Sequence, residues 1–129
     1  MRLIHTADWH LGRILHGVHL TEDQAHVLDQ FVALVQDSQV DAVLIAGDVY
    51  DRAVPPPEAV ALLDETLARL VRGLQVPVLM IAGNHDSPPR LAFASRLLAL
   101  TITHNFRELR ERPKGQVVDN KKGAADNTL

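Results

Sequence analysis

Cysteine is absent from the 129 residues. That excludes a disulfide framework, a thiolate zinc site and a cysteine nucleophile, and fits a reducing cytoplasm. A surplus of positive charge is missing too: 13 Lys and Arg stand against 16 Asp and Glu, which argues against a protein that grips nucleic acid with a broad basic face. Any phosphate binding then has to come through metal. No segment approaches the roughly 20 apolar residues of a membrane span. The N-terminus passes from Met1 and Arg2 straight into a strand pattern and Asp8, without the apolar core of a signal peptide. The expectation is a soluble cytoplasmic protein with no membrane association.

What is present suffices for one compact domain: 47% of the residues are hydrophobic, and a chain of this length buries roughly two thirds of its unfolded surface. Charge is unevenly placed. Residues 1–106 carry 12 acidic and 7 basic side chains, whereas residues 107–129 carry 4 and 6. Bound divalent cations would offset the acidity of the first part. The last stretch, RELRERPKGQVVDNKKGAADNTL, has few large apolar side chains, no aromatics and several turn formers; it reads as a polar, disordered tail behind a folded domain of residues 1–106.

The domain alternates strand and helix patterns. Residues 3–6 predict a short strand and residues 8–20, with Gly12 and Gly17, a loop. Thr21-Glu22-Asp23-Gln24 has the spacing of a capping box, with Ala25, Leu28, Phe31, Val32 and Val35 continuing one helical face to about Ser38. Residues 41–46 form an apolar run after one acid, as in a strand covered on both faces. Pro55, Pro56 and Pro57 read either as a polyproline ligand or as a helix start, and Ala59, Leu63, Leu67, Leu70 and Leu74 favour the helix, with Gly73 placed to end it. Residues 76–82 predict a third strand and residues 90–100 a third amphipathic helix. The order implies an α/β layered fold with a parallel sheet and flanking helices.

Three polar clusters each follow an apolar run: Asp8-Trp9-His10, Gly47-Asp48-Val49-Tyr50-Asp51 and Gly83-Asn84-His85-Asp86. In a parallel sheet the loops after the strands emerge on one edge, so the clusters are expected to meet. Carboxylate oxygens, imidazole nitrogens and an amide oxygen are what a pair of divalent cations takes as ligands. Asp8 and His10 can share one cation, Asp48 can bridge two, and Asn84 can serve the second. Two such cations orient a phosphodiester and lower the pKa of a bound water. His85 is placed to hydrogen-bond the phosphate or protonate the leaving oxygen. A covalent mechanism has less support, because Ser38, Ser87 and Ser95 have no base at a recognisable spacing.

Plainer roles exist for many of these residues. Asp8 and His10 are ordinary choices at a strand end, and Gly47-Asp48 is an ordinary turn. Asp51 and Asp86 are expected to cap or precede helices. Arg13, His16 and His19 lie in the first loop, as solvated surface or as contacts to substrate phosphates. His5 is expected in or beside the first strand and His26 on a helix surface. His104 is a remote replacement ligand, and Arg52 and Arg90 could clamp phosphate or form exposed ion pairs. GNHD is the sharpest single element, and the three clusters in order carry the signal.

D-x-H, GDxxD and GNHD in this order resemble the calcineurin-like metallophosphoesterase superfamily. Within it, MRLIHTADWHLG, DAVLIAGDVYDRAVPP and VLMIAGNHDSPPRLAFASRLLA look like the N-terminal part of the SbcD family of bacterial nuclease subunits, over residues 1 to about 100. DWHLG, the proline run after GDVYD and GNHDS belong to that branch rather than to protein phosphatases. The resemblance implies the N-terminal half of a metallophosphoesterase fold, with Asp8, His10 and Asp48 on a first Mn2+, Asp48 and Asn84 on a second, and His85 as the catalytic histidine. It further implies a DNA double-strand exonuclease and hairpin endonuclease of repair, recombination and replication. An SbcC-like ATP-hydrolysing coiled-coil protein is the implied partner, and two nuclease subunits are expected to pair. Family members add Gly-His and Gly-His-x-His motifs that this sequence does not contain, so the second metal site is expected to be incomplete. The rival expectations are a catalytically silent fragment that only associates with a partner subunit, and another metallophosphoesterase acting on a nucleotide or phosphoprotein.

Overall fold

The structure, a computed structural model, describes residues 1–93 and 101–103. In chain order the elements are β1 (Leu3–Ala7), β2 (Ile14–Leu15), β3 (Val18–His19), α1 (Thr21–Ser38), β4 (Ala42–Ala46), α2 (Pro57–Ala68), β5 (Val78–Ile81), α3 (Pro88–Leu91) and β6 (Thr101–Thr103). A π-helical turn, Arg69–Gly73, prolongs α2. The main sheet has the order β1-β4-β5-β6 with every pair parallel. This is the expected α/β architecture with one more strand than the three anticipated; the β-branched triplet Thr101-Ile102-Thr103 supplies it.

Strand order that advances in one direction, joined by right-handed crossovers, puts successive helices on the same face of the sheet. Accordingly α1 packs on α2. On that face Val43 and Ile45 of β4 and Val78 and Met80 of β5 are buried with Leu28, Val32 and Val35 of α1 and Ala59, Leu63, Leu67 and Leu70 of the second helical segment. Ala42, Leu44 and Ala46 on the other side of β4 are only half-buried. The expectation of a strand covered on both faces is therefore corrected. The central strand reads as an unbroken apolar run, yet among the described residues α1 and α2 both pack on one side of it.

Pro57 opens α2 with Pro56 as the preceding cap, so the prolines start a helix, where a missing amide proton costs nothing. Gly12 explains part of that run. Its φ is +82°, and a Cβ there would meet the Pro56 ring at 2.8 Å; the first loop and the start of α2 are in backbone-to-ring contact that only glycine permits.

The capping box is not formed. Leu20 occupies the cap position of α1, and no side chain caps it. Gln24 instead accepts from the Gly12 amide (3.1 Å) and donates to the carbonyls of Trp9 (3.3 Å) and His10 (2.9 Å). Three main-chain groups of the first loop outcompete a single local cap. Trp9 adds to the same anchorage, packing edge-on against Phe31 at 5.6 Å and donating its indole N–H to Thr6 Oγ1 at 2.9 Å. The predicted helix over residues 90–100 begins earlier, at Pro88, and residues 94–100 lie outside the described residues, as do His104 and the proposed tail.

Gln24→Ala should cost about 1–3 kcal/mol, because it strands one amide and two carbonyls, while Thr21→Ala should stay within about 0.5 kcal/mol. Urea unfolding of both variants tests this. Equal losses would restore the local capping role.

Candidate metal centre

Each cluster sits just past a strand: Asp8 after β1, Asp48 after β4, Asn84 after β5. The first two loops continue the parallel pairing of their strands. Asp8 N–H donates to the Gly47 carbonyl (3.1 Å), His10 N–H to the Asp48 carbonyl (2.9 Å) and Leu11 N–H to the Val49 carbonyl (2.9 Å). Asp8, His10 and Asp48 all have left-handed backbones, with φ of 54°, 47° and 42°. Such conformations cost non-glycine residues of order 1–3 kcal/mol each and persist where the surroundings impose them.

The strain has a geometric product. One donor atom from each of Asp8, His10 and Asp48 lies within 4.8 Å of the other two. The two oxygens and one imidazole nitrogen form the donor set a divalent cation accepts. His10 Nε2 lies 3.8 Å from Asp48 Oδ2. Its other ring nitrogen, Nδ1, is 3.1 Å from Asp51 Oδ1, so Nδ1–H donates to that carboxylate and Nε2 is left bare toward Asp48. A carboxylate behind an imidazole is the usual way a metal-binding histidine is fixed in tautomer and orientation.

Asp48 is held from the third cluster. His85 N–H donates to Asp48 Oδ1 at 2.9 Å, leaving Oδ2 on the His10 side. The loops approach so closely that a Cβ on Gly83 would sit 2.1 Å from Asp48 Oδ1 and 2.2 Å from its amide nitrogen; no side chain fits there. The His85 ring donates from Nδ1 to the Asp51 carbonyl at 2.8 Å. Its Nε2 is therefore the free ring nitrogen. That hydrogen bond is the main cause that raises the His85 pKa above its ordinary value; desolvation opposes it, and the carboxylates of Asp48, Asp51 and Asp86 add to it. Asn84 is exposed between the two residues that touch Asp48.

Asp51 and Asp86 precede α2 and α3, as expected, but cap neither. The caps of α2 and α3 are Pro56 and Ser87. Asp51 orients both imidazoles, one through its side chain and one through its carbonyl. The Asp86 carboxylate, 7% exposed, accepts from Val49 N–H (3.0 Å), Tyr50 N–H (2.8 Å) and Gly83 N–H (2.8 Å) and so clamps two loops together. The signal for Asp51 was its spacing, three residues beyond Asp48; nothing local distinguishes Asp86 from a cap. Arg52 and Arg90 are exposed and form no ion pair among the described residues.

A parallel sheet that delivers D-x-H, GDxxD and GNHD to one edge, with Asp8, His10 and Asp48 around a common point, defines a metal-dependent phosphoesterase scaffold. The chain belongs to the calcineurin-like phosphoesterase family, whose profile matches residues 1–126. Members of this family use divalent metal, and the donor set above fits it. More narrowly, the chain is similar to the SbcD subunit of nuclease SbcCD from Staphylococcus saprophyticus, 49% identical over 96 residues that make up 74% of this chain and 26% of that protein. The corresponding protein of Staphylococcus epidermidis is 48% identical over 96 residues, again 74% of this chain and 26% of the relative. The matched part thus spans about a quarter of those relatives. Among the described residues, no helix is long and apolar enough to cross a membrane.

Two titrations follow. In metal-free protein the His85 ring should titrate above an ordinary histidine in NMR; Asp48→Asn should lower it only part of the way, because the larger cause is the Asp51 carbonyl. A His85 value at or below the ordinary one would contradict the geometry. Tyr50 is buried, and burial, with the Asp86 and Asp64 carboxylates, pushes its hydroxyl from 10.0 up to about 12. The folded state then holds the proton more tightly than the unfolded chain. Stability is fully present below pH 10 and falls as pH rises toward 12, by about 2 kcal/mol. Tyr50→Phe should abolish that alkaline slope in denaturant melts.

Proposed function

We propose that residues 1–106 are the N-terminal half of a manganese-dependent DNA nuclease domain, with residues 107–129 a polar tail. The observation that carries this reading is the convergence of Asp8, His10 and Asp48 beside an oriented His85. Asp8, His10 and Asp48 would hold a first Mn2+, and Asp48 with Asn84 a second. A bound divalent cation supplies a water of lowered pKa and neutralises charge on the phosphate oxygens. The chain's own residues do the rest. Asp51 keeps His10 Nε2 turned toward the Asp48 carboxylate, the His85 amide fixes that carboxylate, and His85 Nε2 is left to face a phosphate oxygen or the leaving oxygen. The raised pKa of His85 favours the protonated ring, which suits it to donate a proton there.

The relatives' name, as a subunit of the nuclease SbcCD, supports DNA as the substrate class. Exonuclease action on double-strand ends and cleavage of DNA hairpins, serving repair, recombination and replication in the cytoplasm, is the corresponding role. The partners are DNA, an SbcC-like coiled-coil ATPase and a second nuclease subunit.

The test is calorimetric titration with Mn2+. The parent chain should bind, Asp48→Ala should lose the heat, and Asp51→Asn should weaken affinity about 10–100-fold by releasing His10 from its orienting carboxylate. Binding indifferent to both substitutions would sink the assignment.

A further inference from the structure

The donors around Asp8 do not exhaust this edge of the sheet. A second triad stands beside them: one donor atom from each of His10, Asp51 and His85 lies within 4.8 Å of the other two. His10 belongs to both triads, and its two ring nitrogens face different partners. Nε2 looks toward Asp48 Oδ2 at 3.8 Å and Nδ1 toward Asp51 Oδ1 at 3.1 Å. His85 is already held to Asp51, through that residue's carbonyl. Its exposure leaves the second triad open to solvent on one side, while the His10 and Asp51 side chains are 20% and 26% exposed.

The spacing is close to that of a bound ion. Ligand atoms about 2.0–2.2 Å from a tetrahedral zinc lie about 3.4 Å from one another, and two imidazoles that share it hold their ring centres about 5 Å apart. Here the His10 nitrogen and the Asp51 oxygen are 3.1 Å apart, and the ring centroids of His10 and His85 are 5.2 Å apart. Donor chemistry separates the two triads as well. Two carboxylates and one imidazole around Asp8 suit a hard cation such as Mn2+, whereas two imidazoles and one carboxylate suit a borderline one. Zn2+ stands well above Mn2+ in the affinity order of divalent metals. Two histidines and one carboxylate, with a fourth position left to water, are a donor set of zinc hydrolases.

We propose that His10, Asp51 and His85 form a second cation site, for Zn2+, which competes for His10 with the site of Asp8, His10 and Asp48. The reason is the single proton of a neutral imidazole. When Nδ1 carries it, donated to Asp51, Nε2 keeps a lone pair for a cation beside Asp48. Zinc takes the Nδ1 lone pair together with the Asp51 oxygen that accepted the hydrogen bond, so the proton moves to Nε2 and points at Asp48. An N–H has no lone pair to give. Filling both sites at once would require His10 to lose its last proton. Zinc thus withdraws His10 from the first site and occupies His85, the group proposed to face the phosphate. The zinc site needs only the geometry of the second triad; its opposition to Mn2+ rests on the function proposed above.

The test compares Zn2+ and Mn2+ binding by the metal-free chain and three variants. Zn2+ is read by competition with a chromophoric chelator and Mn2+ by loss of its free EPR signal. His85→Gln should weaken Zn2+ by more than about tenfold and Mn2+ far less. Asp8→Asn, whose amide tolerates the left-handed backbone, should do the reverse, and Asp51→Asn should weaken both. In the parent, one equivalent of Zn2+ should restore the free Mn2+ signal. Nitrogen NMR of the parent should show the His10 proton leave Nδ1 for Nε2 as Zn2+ binds, a readout that depends on no variant. Zn2+ affinity indifferent to His85→Gln, or lost with Asp8→Asn, would put zinc in the first site and overturn the proposal. So would a His10 proton that stays on Nδ1. A chain that binds Zn2+ through His85 and Asp51 but takes up no Mn2+ would remove the proposed function and leave the zinc site standing.

Discussion

Three amide protons from two loops end on one buried carboxylate, that of Asp86, and the candidate centre depends on this junction. It draws the loop after β5 against the loop after β4 until Gly83 lies under Asp48 with no room for a side chain. Only then can the His85 amide reach Asp48 Oδ1 and the His85 ring reach the Asp51 carbonyl. Magnitudes make the balance concrete. Hydrogen bonds to a charged acceptor contribute about 1.5–3 kcal/mol each, and left-handed residues such as Asp8, His10 and Asp48 cost of order 1–3 kcal/mol each. The clamp and the strain are of similar size, which is why the strained backbones can persist.

Asp51 couples the two imidazoles. Its carboxylate fixes His10 and its carbonyl fixes His85, while the rings meet edge-on at 5.2 Å. A shift of one residue therefore turns both rings together. The candidate metal-facing nitrogen and the candidate phosphate-facing nitrogen share one support, so geometry at one is tied to geometry at the other.

What the sequence made legible was whatever local pattern decides. Alternating apolar periods gave strands and helices close to their observed bounds, Pro57 gave the start of α2, and polar clusters after apolar runs gave the edge where Asp8, His10 and Asp48 meet. What stayed hidden depends on partners distant in the chain. Gln24 has capping-box spacing, but its partners are Trp9, His10 and Gly12. Asp86 looks like a residue before a helix, but two of its three partners are Val49 and Tyr50. The antiparallel hairpin of β2 and β3, turning at His16 and Gly17, escaped because each strand is only two residues long and His-Gly is a weaker turn signal than Asn-Gly. β4 misled because an unbroken apolar run is compatible with cover on one face as well as on two.

The sheet grows outward from β1 in the order in which the ribosome delivers its strands. Each strand of the main sheet pairs with the main-sheet strand that precedes it in the chain, so every parallel pair has to wait for the helical segment between its members. The candidate ligands emerge in the same sequence: Asp8 and His10, then Asp48, then Asn84 and His85. Asp86, which locks them, follows. The donor set is therefore complete, and Asp86 in place to lock it, only once the loop after β5 has been made.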